Sequence, residues 1–566
     1  MKKILLLSLA SLLSVSAWAS RARSGIITMQ QPDGSAVQVV LHGDEYYNYY
    51  TTPDGRPLVR MADGRFEPAT WEDLHQQAWA LSRQSFASTI DDYPSGSANP
   101  AYFPHEGEPK VCVILMEFPD KPFTYSREDI GEWLNGEQTQ FESTTRSTSS
   151  VAGYFEFSSQ GKFRPQFDVY GPYQTDSISS WYGYNQGASS SGKRLVSNAL
   201  KCADPEVDFS QYDCYGDDGC LDLVYVIFSG QGANESGNKD QPWALSGTNS
   251  GLGTYDGVKA YRYGISNELI IGNDVVYQDG IGVFCHELSH TMGLPDLYDT
   301  SGKLTNWDNN GPEAWDLMDD GENLVNGMWP MPYTAWERDV FGWIELEELS
   351  ATQQEVTLYP LNDAEGRGKA YKVVNPANPE EFYTFENIPE DGHYGWIGKY
   401  KAQGGMIVTH VNFIRSVFGS NRVNSTDGAP NLTILPADGY LLSSYSIGHD
   451  RELDGEVVNV TRTIYRSHLG GDPYPGANEV HAIESFHNYA GEEDLSAAIS
   501  VSDIVRHDDG RITFSFVSSI DNGIAEVSPD RASRVNIFSV DGRCVGNDLS
   551  ALPSGMYVVD GKIVRK

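Results

Sequence analysis

One stretch constrains this chain more than any other: "FCHELSHTMGLPDLYD", residues 284–299. His286 and His290 are four positions apart, so on an α-helix their imidazoles leave the same face and can share one ion. The preceding "IGVF" gives that helix an apolar face. Gly293 can end it by taking a left-handed backbone, which turns the next residues back toward the histidines. Asp296 is the carboxylate delivered there. A carboxylate oxygen is an acceptable Zn2+ ligand beside two neutral imidazoles, and such a set keeps one coordination position open. Asp is short and Pro295 restricts the turn, so the approach has to be close. Asp299 is a competing carboxylate, whereas Asp296 holds the place of the third ligand in the extended motif. Glu287 points to a neighbouring part of the same face. From there it can take a proton from metal-activated water and later hand it to a leaving amine.

A second element follows about twenty residues on, "EAWDLMDDGENLVNG", with Met318. Methionine alone is usually core filler. At this distance after an extended HExxH motif it fits the methionine turn that metzincin-type sites place beneath the metal.

The compartment matters because it decides which ligands are available. "MKK" followed by "ILLLSLASLLSVSAWA" reads as a basic start, a short apolar run and an Ala17-Trp18-Ala19 processing site, with Ser20 as the new N-terminus. The run is short for a membrane span, and no other long apolar stretch exists, so an exported, soluble protein is expected. Loss of residues 1–19 removes Lys2 and Lys3 and takes the formal charge from −38 to −40. That balance argues against nucleic acid as a partner, because phosphate binding needs a basic face. Six cysteines in 566 residues make no disulfide framework. Cys214 and Cys220 are close enough to close a small loop, and Cys112 and Cys285 lie in apolar runs as buried thiols.

"HELSHTMGLPDLYD", "WDLMDDG" and "YTAWERDVFGWI", with "VCVILMEFPD" and "SSVAGYFEFSSQGKFRPQFDVYGPY" upstream and "EEFYTFEN", "GGMIVTHVN" and "GDPYPG" downstream, resemble the immune inhibitor A family of secreted bacterial zinc metalloproteases. The resemblance covers roughly residues 105–520. It implies His286, His290 and Asp296 as zinc ligands, Glu287 as catalytic base and Met318 as the methionine-turn residue. Residues 20–105 resemble the pro-region of such enzymes. The last segment, with "VNIFSVDGRCV" and "LPSGMYVVDGKIVRK", is loosely similar to C-terminal sorting domains of type IX secretion; the plain reading is a small β tail. That segment makes secretion machinery a partner and the surface or surroundings of a Gram-negative bacterium the expected location.

The expected fold class is a multidomain α+β chain: a metzincin-like mixed α/β catalytic domain, an all-β sandwich domain and a short β C-terminal tail. The expected divisions are a signal peptide at 1–19, a β-rich pro-region with linker at 20–105, the catalytic domain at 106–345, the sandwich at 346–520 and the C-terminal segment at 521–566. Pro53-Asp54-Gly55 and Asp63-Gly64 mark hairpin turns in the first unit. "VCVILMEF" and "LDLVYVIF" read as buried central strands, "SREDIGEWLN" as a helix capped by Ser126, and "SSGKRLVSNALKCAD" as an amphipathic helix. Beyond residue 346, short runs including "EVTLYPL", "GGMIVTHVNF" and "EVVNVTRTIY" read as strands between turns.

Asp213, Asp217, Asp218 and Asp222 in "YDCYGDDGCLD" offer oxygens that can coordinate Ca2+, although the spacing is not an EF-hand and an Asp-Gly turn explains it too. His410 in a β-run reads as a satisfied core histidine. The pro-region has no cysteine, so a thiolate from it cannot reach a metal; Asp44 and Asp54 are its available carboxylates. The expected function is a secreted zinc endopeptidase acting on protein or peptide substrates, made as a latent precursor and monomeric. The rival is a surface-binding adhesin with a structural metal site, against which Glu287 argues because a structural site needs no general base.

Overall fold

Eight residues, Lys110–Glu117, carry an uninterrupted apolar run whose interior is buried on both faces. A strand with that pattern belongs at the centre of a sheet covered on both sides. In the computed structural model it does. The structure describes residues 16–74, 102–137, 149–301, 311–519 and four strands between 537 and 565, apart from short gaps at 24, 45–46, 216–217, 273–274, 351, 401, 427 and 487–497.

In chain order, β1 is Ser16–Ala19. The strands β2 (Ile26–Gln30), β3 (Ala36–Gly43), β4 (Asn48–Thr51), β5 (Pro57–Arg60) and β6 (Phe66–Pro68) form an antiparallel meander. Then come β7 (Lys110–Glu117), α1 (Arg127–Asn135), α2 (Val151–Ser158), β8 (Gln166–Gln174) and α3 (Ala188–Ala203). They are followed by β9 (Val224–Gln231), β10 (Leu245–Thr248), β11 (Arg262–Gly272), β12 (Val275–Gln278), α4 (Ile281–Thr291) and α5 (Ala335–Val340). The main sheet runs β1-β10-β11-β9-β7-β8, with β12 on β11. The pairs β7–β8, β7–β9 and β9–β11 are parallel; β10–β11 and β1–β10 are antiparallel.

Local chemistry explains the helix starts. Ser126 caps α1 through a capping box with Asp129, and Ser150 caps α2 by accepting from Gly153 N–H. One face of the main sheet (Val113, Leu115, Tyr225, Ile227) packs on α4 through Ile281, Phe284, Cys285 and Leu288. Phe284 stacks on Tyr225 with ring centroids 3.8 Å apart. Each such buried side chain contributes about 1.5–3 kcal/mol, which holds the histidine-bearing helix to the sheet. The other face packs on α3 and on the meander: Val39, Leu41 and Tyr50 share a core with Leu195, Trp243 and Ile265.

Beyond residue 346, a five-stranded sheet (347–348, 371–375, 378–388, 405–412, 432–434) and a three-stranded sheet (353–358, 512–518, 499–506) share one apolar core, including Phe385, Val408, Val501 and Phe514. The opposite side of the larger sheet, through Val411 and Leu432, joins the core beneath α4. One expected strand is a helix in part: "VTRTIY" leaves the strand Glu456–Asn459 and becomes Arg462–His468, capped by Thr461, whose hydroxyl accepts from Ile464 N–H. The strands at 537–539, 544–546, 556–559 and 562–565 form a small antiparallel sheet. Cys214 and Cys220 are free, and Cys112 and Cys285 are buried thiols. No helix among the described residues is long and apolar enough to cross a membrane.

Candidate metal centre

Helix α4 delivers His286 and His290 from one face, with their rings 4.6 Å apart and nearly perpendicular. The chain then turns at Gly293, whose φ of +108° lies in the left-handed region, and returns Asp296. Donor atoms of His286, His290 and Asp296 all lie within 4.8 Å of one another, and all three residues are buried. Asp296 Oδ1 stands 3.2 Å from His286 Nε2 and 3.3 Å from His290 Nε2. Asp299 is not in this group; its Oδ1 accepts from Ser301 N–H at 2.8 Å.

The remaining imidazole nitrogens fix the rings. His290 Nδ1 donates to Leu294 O at 2.7 Å, and His286 Nδ1 to Leu317 O at 3.1 Å. Both Nε2 atoms therefore face Asp296, the orientation that ligating histidines take when backbone carbonyls hold their far nitrogens. Two imidazole nitrogens and a carboxylate oxygen suit a divalent transition metal such as Zn2+, so these residues fit the ion that the motif implies.

Two neighbours were not visible in the sequence. The Glu322 carboxylate lies 3.5 Å from His286 Nδ1 and is fully buried, which raises its pKa. Asn421, from the loop after Arg415–Phe418, holds Asp296 at both ends. Its Nδ2 donates to Asp296 Oδ2 at 2.6 Å, and its Oδ1 accepts from Asp296 N–H at 2.7 Å. Nothing in the composition around 421 marks this role; it arises only because the downstream sheet packs against α4.

Met318 is fully buried in the same core as α4. Its carbonyl accepts from Leu297 N–H at 2.8 Å, just after Asp296, and its own N–H donates to Asp316 Oδ1 at 2.6 Å. The 313–328 loop thus touches both ends of the ligand set. It also presses on the start of α4: Gly282 N–H donates to Gly327 O, and a Cβ at Gly282 would stand 2.0 Å from Glu322 O. Glycine is required there by close backbone approach.

Glu287 is fully buried, and burial raises its pKa while the two histidines pull it back. Its Oε1 accepts from both Ser20 N–H and Ser20 Oγ, each at 2.7 Å. Ser20 O in turn accepts from Trp243 Nε1 at 2.9 Å. Asp44 and Asp54 are not part of the metal-binding group: Asp44 accepts from Tyr47 N–H within its own turn, and Asp54 pairs with Arg56 at the surface. Asp213 and Asp222 each give one oxygen to a loop N–H, from Gly219 and Cys214. No third carboxylate joins them as a metal-binding group among the described residues, and Asp217 lies outside those residues. His410 is buried against Glu381 at 3.0 Å, the satisfied histidine expected of a β-run.

A buried His-His-Asp group with an acidic residue between the histidines matches the arrangement of a metallopeptidase centre. Residues 101–341 match the immune inhibitor A peptidase M6 catalytic domain. Among similar proteins, the pre-pro-metalloprotease PrtV of Vibrio cholerae serotype O1 is 24% identical over 318 residues, covering 47% of this chain and 34% of that protein. Immune inhibitor A of Bacillus thuringiensis subsp. alesti is 26% identical over 284 residues, covering 41% of this chain and 39% of that protein. The similarity spans well under half the length of either relative.

Proposed function

We propose that the chain is a secreted zinc endopeptidase that hydrolyses protein substrates and is made as a latent precursor. The observation that carries this reading is the convergence of His286, His290 and Asp296 beside Glu287. These three residues would hold zinc, which when bound supplies a Lewis acid that acidifies water and polarises the scissile carbonyl. Glu287 would take the proton on its carboxylate and return it to the leaving nitrogen. Its raised pKa suits a group that must be protonated midway through the cycle. Leu294 O, Leu317 O and Asn421 keep the ligands oriented. Met318 is read as the methionine-turn residue, supported by the contact of its neighbour Leu317 with His286.

Latency is supported by Ser20. Its N–H and hydroxyl occupy the proton-accepting oxygen of Glu287. With processing after Ala19, the segment that begins at Ser20 would cover the catalytic carboxylate until it is removed. Export is supported by the N-terminal sequence pattern, and passage through type IX secretion by that of the C-terminal segment. The division at residues 20–105, 106–345, 346–520 and 521–566 remains our layout of the chain.

Metal analysis of the purified protein with a chelator-sensitive peptide digest tests the reading. One equivalent of zinc and hydrolysis abolished by chelation are expected. Metal-bound protein that cleaves no peptide after removal of the N-terminal segment would favour the structural-site alternative.

A further inference from the structure

The segment that covers Glu287 continues into a pocket of opposite charge. Arg21 is only 2% exposed. Its Nη1 donates to Asp319 Oδ1 at 2.9 Å and lies 3.8 Å from Glu313 Oε1. Its Nη2 donates to Ser444 Oγ at 2.5 Å, and its guanidinium carbon sits 4.1 Å from the Tyr445 ring centroid. Asp320 adds a third buried negative charge that raises the Arg21 pKa.

A buried guanidinium is unfavourable unless it is paired, and buried carboxylates are unfavourable unless a cation meets them. Burial pushes Glu313 up and Arg21 pulls it back down. The carboxylates come from the 313–328 loop, the loop whose Leu317 also holds His286, so the pocket adjoins the metal centre. Nothing in ligand orientation or proton transfer uses Glu313, Asp319 or Asp320 as a cation site. The separate acceptors and the flanking aromatic ring match the planar fork of arginine better than the point charge of lysine. Arg23 meets a further buried carboxylate, Glu235, at 3.2 Å.

We infer that the pocket formed by Glu313, Asp319 and Asp320, with Ser444 and Tyr445, is a substrate subsite that selects arginine, and less strongly lysine, on the leaving-group side of the scissile bond. The inference rests on the metallopeptidase reading. Ser20 N–H lies on Glu287, the group assigned to protonate the leaving nitrogen, and the chain runs C-terminally from there into the pocket. The backbone before Ser20 pairs with β10 in extended form, as a peptide threading the cleft would. In the precursor the pocket holds the chain's own Arg21; once that segment is released, a substrate's basic side chain takes its place.

The test is digestion of a peptide library by the zinc-loaded full-length chain and by its Arg21→Gln variant, with products sequenced by mass spectrometry. Arginine should be enriched at the first or second position after the cut. A matched pair of peptides carrying arginine or citrulline there should differ by about tenfold or more in kcat/KM. In Glu313→Gln that ratio should fall toward one; if this variant does not fold, the peptide pair on the unaltered pocket decides. Zinc-dependent cleavage with no basic preference after the cut, or with one confined to residues before it, overturns the subsite and leaves the peptidase standing. No zinc-dependent cleavage by either protein, before or after limited proteolysis has removed the N-terminal segment, overturns both.

Discussion

Asn421 is remote in sequence from the metal ligands, and its removal should weaken the centre without touching a ligand. Its φ of +54° is left-handed, so alanine would add backbone strain; Asn421→Gly deletes the side chain and keeps that conformation accessible. The substitution removes two hydrogen bonds to Asp296, one to the carboxylate at 2.6 Å and one from its N–H at 2.7 Å. A hydrogen bond to a charged group contributes about 1.5–3 kcal/mol, and partners of metal ligands typically account for about 10–100-fold in metal affinity. Zinc affinity, read by competition with a chromogenic chelator, should therefore fall about 10–100-fold, with secondary structure by circular dichroism unchanged. Asn421→Asp should be worse, because it sets a second negative charge against Asp296. Zinc affinity within twofold of the parent in Asn421→Gly would refute the argument that this downstream loop positions the ligand.

Glu287→Gln should lower peptide hydrolysis by about 10²–10⁴-fold while metal analysis still finds one zinc per chain; equal activity would end the proposed proton transfer. Arg21→Glu puts a negative charge among Glu313, Asp319 and Asp320, so the full-length chain should hydrolyse casein faster before any processing; an unchanged rate would show that this contact does not maintain latency. His42, buried against Tyr49 with its Nε2 2.9 Å from Thr51 Oγ1, has its pKa lowered to about 3 by burial and by the Arg21, Arg462 and His449 charges. The unfolded chain binds this proton more readily, so stability is lost as pH falls below the ordinary value of about 6.5, by about 2 kcal/mol at pH 5. Denaturant unfolding at pH 7 and pH 5 should show that much less pH dependence in His42→Gln, and an identical dependence would refute the assignment.

The parts of this molecule written in local sequence were readable. Helical spacing placed His286 and His290 on one face, glycine chemistry turned the chain at 293, and apolar runs marked β7 and β9 as central strands. Ser126 announced its helix by a capping box. The helix at 462–468 was misread because β-branched residues around Thr461 outweighed its capping role. The acids at 213–222 suggested a cation; the three that are described, Asp213, Asp218 and Asp222, each accept from a loop N–H, since short Asp side chains bond nearby backbone readily. Asn421, Glu322 and the pocket around Arg21 could not be read. They are polar residues in loops, brought to α4 by packing between segments more than a hundred residues apart or by a turn whose course depends on that packing.

Strand β1 lies on β10 through backbone pairing from Ser16↔Thr248 to Ala19↔Leu245. Its departure would leave β10 as an open sheet edge, a row of N–H and C=O groups seeking a strand. Recognition by such an edge reads main chain first and asks a partner to be locally unfolded over several residues. Tightly folded proteins would then be poor substrates except at their slack loops and frayed ends, whatever side chains they display. With cleavage after Ala19, β1 would leave with the N-terminal leader, so the same edge would be open already in the exported precursor and prone to pair with a second copy at high concentration.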